Sequence, residues 1–86
     1  MRSRWPFQIR QRGQSVIFEV WDTETRNLLG DFESEVAALE MVRDYLASYG
    51  NEFAMTLALV SQDDRGYSKS LAQGIKLLER VESLAA

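Results

Sequence analysis

The polar stretch Asp63-Asp64-Arg65-Gly66-Tyr67-Ser68-Lys69-Ser70 holds the residues best suited by type and spacing to do chemistry. Two adjacent carboxylates, with Glu52 upstream, would offer a hard cation its oxygen donors. Their spacing does not match the helix–loop–helix calcium pattern, and Arg65 would oppose a cation. A solvated turn accounts for them, and no metal or other cofactor is expected. Arg65 and Lys69 stand just ahead of Ser70, which reads as the N-cap of the last helix. Backbone N–H groups and the dipole at a helix N-terminus favour anions. Arg65, Lys69 and Ser70 are therefore candidates for an anion or partner contact. Neither a G-x-x-x-x-G-K-S/T nor a G-x-G-x-x-G spacing accompanies them. A turn followed by a helix cap explains the same residues without a ligand.

What the chain lacks narrows its chemistry further. There is no histidine and no cysteine in its 86 residues. A side chain that titrates near neutral pH is normally histidine. Zinc, copper and iron–sulfur sites draw on both residues. So do the Ser–His and Cys–His pairs of nucleophilic catalysis. The remaining carboxylates, hydroxyls, lysines and arginines fall in no spacing that specifies a reaction, so the chain reads as non-enzymatic.

The elements follow from periodicity. Residues 5–12 alternate, with Trp5, Phe7 and Ile9 on one face and Gln8, Arg10 and Arg12 on the other, as in a half-buried strand. Pro6 suits the start or edge of such a strand, and Gly13 allows the turn after it. Residues 15–22 form a second strand, with Val16, Phe18 and Val20 facing away from Ile17, Glu19 and Trp21. Residues 28–32 make a short third strand, with Gly30 marking a bulge. Ser34 is an N-cap, and a helix with the stripe Ala38, Leu39, Val42, Tyr45, Leu46 and Tyr49 runs to a stop at Gly50. Residues 54–61 are apolar on both faces, which fits a strand covered on both sides. Ser70 and Gln73 then match a capping box opening a helix lined by Leu71, Gly74, Ile75, Leu78 and Val81.

Charge is unevenly placed. Residues 1–12 carry Arg2, Arg4, Arg10 and Arg12 and no acid, a local +4. Residues 13–86 carry six basic and thirteen acidic residues, a local −7. An acidic body disfavours nucleic acid, whose binding rests on phosphate neutralisation. The N-terminal arginines would keep an edge strand soluble, or meet an acidic partner. No apolar run is long enough to cross a bilayer, and no h-region follows the first residues, so neither a membrane span nor a signal peptide is expected. Absence of cysteine fits a cytoplasmic protein.

Phe18-Glu19-Val20-Trp21-Asp22-Thr23-Glu24-Thr25, followed by Gly30-Asp31-Phe32, an alanine-rich helix, Leu57-Ala58-Leu59-Val60 and Asp64-Arg65-Gly66, resembles a group of small bacterial proteins without an assigned activity. The likeness spans residues 16–80 and transfers no catalytic residue. A looser likeness, in strand–strand–helix layout alone, is to the antitoxin domain of HicB-type systems.

Taken together, the chain reads as a single domain of the α+β class. The expectation is a two-layer β-β-β-α-β-α fold, with a four-stranded, mostly antiparallel sheet and two helices. Its expected function is a cytoplasmic protein-interaction module that forms a homodimer. The alternatives are an antitoxin-like or phage-type inhibitor of one protein target, and a small anionic-ligand or nucleotide-binding domain. With four strands, residues 54–61 are expected near a sheet edge, where an apolar surface invites pairing. One helix layer cannot cover both sheet faces, which leaves Ile17 and Trp21 in need of a partner; with Leu57 and Leu59 of the edge strand they are the candidate interface residues.

Overall fold

The computed structural model describes residues 16–84, and within it alternation from Val16 onward forms strand β1, Val16–Asp22. The strand expected at residues 5–12 lies outside the described residues. β1 ends in a turn organised by Asp22, whose Oδ1 accepts hydrogen bonds from the Glu24 and Thr25 amides at 2.9 and 3.4 Å. Arg26 closes it in the left-handed region, with φ of 62°. Strand β2, Asn27–Phe32, returns antiparallel to β1. Its register moves from Val20 opposite Gly30 to Trp21 opposite Leu28, so Leu29 is the extra residue of a bulge beside Gly30. A Cβ at Gly30 would sit 3.0 Å from the Phe32 ring, so the ring would have to give by a few tenths of an ångström.

Helix α1, Glu35–Tyr49, starts where expected, with Ser34 Oγ accepting from the Ala37 amide at 3.1 Å. Ala38, Leu39, Val42 and Leu46 are buried, but Tyr49 is 60% exposed and leaves the expected stripe. Gly50, at φ 110°, stops the helix while its N–H donates to the Leu46 carbonyl at 2.8 Å. The strand expected from residue 54 begins later. Asn51–Thr56 is a 3-10 helix that buries Ala54, and strand β3 is Leu57–Asp63. The alternation of Ala54, Met55 and Thr56 is too short to hold extended backbone against the winding that Gly50 starts, and the Thr56 hydroxyl donates back to the Phe53 carbonyl at 2.9 Å.

The largest departure concerns Ser70. Ser70 and Gln73 do not cap a helix; both lie in strand β4, Ser68–Gln73, antiparallel to β3. Helix α2, Ile75–Ser83, begins after Gly74, at φ 64°, and has no side-chain cap. The sheet order is β2-β1-β3-β4 with every neighbouring pair antiparallel. β3 therefore lies inside the sheet, and the edge position expected for it is corrected. An apolar strand with two free edges leaves unpaired N–H and C=O groups, so pairing with β4 outweighs a local capping preference. β1 is paired on both sides, to β2 and to β3.

The class stands as α+β, with a four-stranded antiparallel sheet and two helices, in the order β-β-α-β-β-α. Both helices pack on one face. Val20, Leu57, Leu59 and Ala72 from the sheet meet Ala38, Leu39, Val42 and Leu46 of α1 and Leu77 and Val81 of α2. A bulge at Leu71, between the Leu59–Ala72 and Val60–Ser70 pairs, lets Leu71 and Ala72 both reach this core although they are consecutive. An ion pair from Arg80 of α2 to Glu35 of α1 ties the helices, but both side chains are over a third exposed and such pairs contribute little.

These placements set the stability ranking. Leu77 is fully buried, so Leu77→Ala should cost about 2–5 kcal/mol. Ile75 is 54% exposed, so Ile75→Ala should stay within about 0.5 kcal/mol of the parent. Ser34→Ala should cost about 1 kcal/mol through loss of the cap, and Ser70→Ala clearly less. Urea midpoints of the four variants check the ranking; equal losses at Ser34 and Ser70 would contradict it.

Candidate functional site

Helices on one face leave the other face of the sheet open. On β1 the side chains opposite the core are Ile17, Glu19 and Trp21, since Val20 between them is fully buried. Cross-strand pairing extends this face in rows. Leu28, Trp21, Ala58 and Gln73 form one row, and Asp31, Glu19, Val60 and Ser70 the next. Ile17, Gln62 and Ser68 form a third. The first row is apolar at its centre, and the second is acidic at its β2 end. Trp21 is half-buried, and its indole Nε1 donates to Glu19 Oε1 at 3.0 Å. The ring is held along the strand with its polar atom satisfied, so what remains for a partner is apolar. At the acidic end a shallow groove is lined by Ile17, Glu19, Asp31, Phe32, Glu33 and Gln62.

The sequence-predicted interface residues divide. Ile17 and Trp21 lie together on the open face. Leu57 and Leu59 do not join them: both are fully buried beneath the helices, on the opposite side of the sheet. Their candidacy rests on the edge position expected for this strand, and the sheet order places the strand inside instead. Pairing of Val20 with Leu59 puts these leucines on the core side, and Ala58 and Val60 on the open one. Ala58 and Val60 are the open-face residues the pattern left unassigned.

Arg65, Lys69 and Ser70 are not gathered at a helix N-terminus. Arg65 is exposed in the β3–β4 turn; Lys69 pairs with Ser61 on the helix side, and Ser70 pairs with Val60 on the open side. The first amides of α2 follow Gly74, beyond the far end of β4 from the turn. The carboxylate of Asp63 is engaged in that turn. Its Oδ1 accepts from the Arg65 amide at 2.9 Å and from the Tyr67 amide at 3.0 Å. Gly66, at φ 88°, completes the reversal, its amide donating to the Asp63 carbonyl at 3.0 Å. Among the described residues no group of three acidic side chains is placed to hold a metal ion, and no helix is long and apolar enough to cross a membrane.

A second apolar surface escaped the sequence reading. Tyr45, Tyr49 and Phe53 gather at the end of α1, with Tyr45 and Tyr49 centroids 4.8 Å apart and Phe53 edge-on to both. The spacing of Tyr45, Tyr49 and Phe53 would have shown it had the helical path been carried past Gly50. The rings pack mainly on one another, so the cluster caps the helix end. Searches against family models, curated proteins and solved structures find no match to this chain.

The turn chemistry can be checked. Asp63→Ala should destabilise the domain by about 1–2 kcal/mol, because two turn amides lose a charged acceptor. Asp63→Asn, which keeps an acceptor oxygen, should recover most of that loss. Thermal unfolding of the pair measures it, and equal melting temperatures for Ala and parent would remove Asp63 from this role.

Proposed function

We propose that the protein is a non-enzymatic protein-interaction module that self-associates through the open face of its sheet. The observation that carries this reading is the one-sided helix layer, which leaves the half-buried Trp21 and Val60 and the exposed Leu28 on a face with no covering element among the described residues. Tryptophan is enriched where binding energy concentrates, and a ring fixed by its bond to Glu19 loses little side-chain freedom on docking. Two copies meeting face to face about a two-fold axis would present each Trp21 row to its counterpart. An acidic body supports a protein partner over nucleic acid. A cysteine-free chain suits the cytoplasm.

Sedimentation equilibrium across a micromolar concentration series should fit a reversible dimer. Leu28 is 44% exposed, so Leu28→Glu should leave the urea midpoint near that of the parent. A charge there that costs about 2 kcal/mol of association should weaken the dimer about thirtyfold. Val60→Lys should act in the same direction. A monomer mass at every concentration would overturn self-association and favour a different protein as the occupant of this face, as in an inhibitor or antitoxin.

A further inference from the structure

Size and charge change across the open face from β2 to β4. In the Trp21 row the largest side chain stands next to one of the smallest, Ala58 of β3. In the next row Asp31 of β2 and Glu19 of β1 stand side by side, while β4 presents the exposed Ser70. Glu33, just beyond β2, lines the same groove as both carboxylates. Among the described residues no lysine or arginine lies in these rows, and no ion pair involves the three carboxylates. The sheet edges invite a partner less. Each outer strand carries a bulge and a charged residue, Leu29 with Asp31 on β2 and Leu71 with Lys69 on β4. Both features blunt an edge against strand addition.

Sheets stacked face to face in the aligned mode keep their strand directions within about 30°. A two-fold axis between two copies then runs either across the strands or along them. An axis across the strands lays β2 on β2 and β1 on β1. With the sheets fully overlapped, Asp31 meets the partner's Asp31, and Glu19 the partner's Glu19. Those like charges repel, with no basic side chain in the rows to offset them. The same axis also turns the Trp21 row onto the Ile17 row.

We propose that the second copy docks about a two-fold axis running along the strands, an inference that rests on the self-association proposed above. β2 of one copy then lies over β4 of the other and β1 over β3, so each row faces itself in reverse order. Trp21 meets the partner's Ala58, and Ala58 the partner's Trp21, which sets a large side chain against a small one twice. Asp31 meets the partner's Ser70, whose hydroxyl is a donor. Glu19 faces the partner's Val60 with its carboxylate still bonded along the strand to Trp21, so that contact is between aliphatic carbons. Asp31 stands three strand spacings, about 14 Å, to the side of the partner's Asp31. The acidic end of the face therefore selects the one aligned arrangement in which carboxylates meet hydroxyls.

Charge at Ser70 reads the axis in the full-length protein. Ser70 is exposed, so Ser70→Lys and Ser70→Glu should leave the urea midpoint near that of the parent. By sedimentation equilibrium, Ser70→Lys should tighten the dimer about three- to tenfold, because an ion pair to Asp31 forms twice. Ser70→Glu should weaken it by a similar factor, and adding Asp31→Lys should restore the parent's affinity. With the axis across the strands, Ser70 faces the partner's Ser70, and both single charges weaken the dimer. Cross-linking is independent of these charges. The chain has no cysteine, so Leu28→Cys and Gln73→Cys each supply one thiol. A bismaleimide spanning about 10 Å, the distance between stacked sheets, should join the two variants when they are mixed and neither variant to itself. Weakening by Ser70→Lys, indifference to both charges, or cross-linking of either variant to itself in place of the mixed pair would overturn this axis while leaving self-association standing. A monomer mass at every concentration would overturn both.

Discussion

The domain is organised by one strand that is paired along both edges and covered by the helices on one face. Leu57 and Leu59 of β3 are fully buried under the helices, and Ala58 between them is 6% exposed on the opposite face. Such a strand cannot stand at a sheet edge, because its backbone groups would be left without water or partners. β1 occupies one side along the whole strand and β4 the other. The row Val20, Leu59, Ala72 then forms a continuous apolar line across three strands, on which Val42 of α1 and Leu77 of α2 belong to the same core. Fully burying an aliphatic side chain contributes about 1.5–3 kcal/mol, more than a helix cap supplies. That difference explains why the chain between the β3–β4 turn and Gly74 is a strand.

Placing both helices on one side has a second consequence. A sheet with one covered face must expose the other, and here that face is not uniformly polar. Its centre is the Trp21 row, and its β2 end is acidic.

Of the polar residues that first suggest chemistry, Asp63 is engaged in structure. Asp63 organises the β3–β4 turn through two amides, and Asp22 organises the β1–β2 turn in the same way. Glu19 holds the Trp21 indole, and Glu35 meets Arg80. Clustered carboxylates in a short α+β domain serve here to close turns, where an Asp side chain can accept from amides two to four residues on.

Sequence by itself determined the features that depend on neighbours along the chain. The alternation from Val16 to Trp21, the Ser34 cap, the Gly50 stop and the bulge beside Gly30 are all legible there, because each rests on local backbone geometry. So is the placement of Ile17 and Trp21 opposite Val20. Tertiary structure alone decided which strand lies inside the sheet, that Ser70 and Gln73 are extended, and that Leu57 and Leu59 face the helices while Ala58 and Val60 face outward. A strand apolar on both faces carries no local mark of which side is covered. Its orientation is set by pairing with a residue distant in the chain, as Val20 pairs with Leu59, and that pairing is a property of the assembled core.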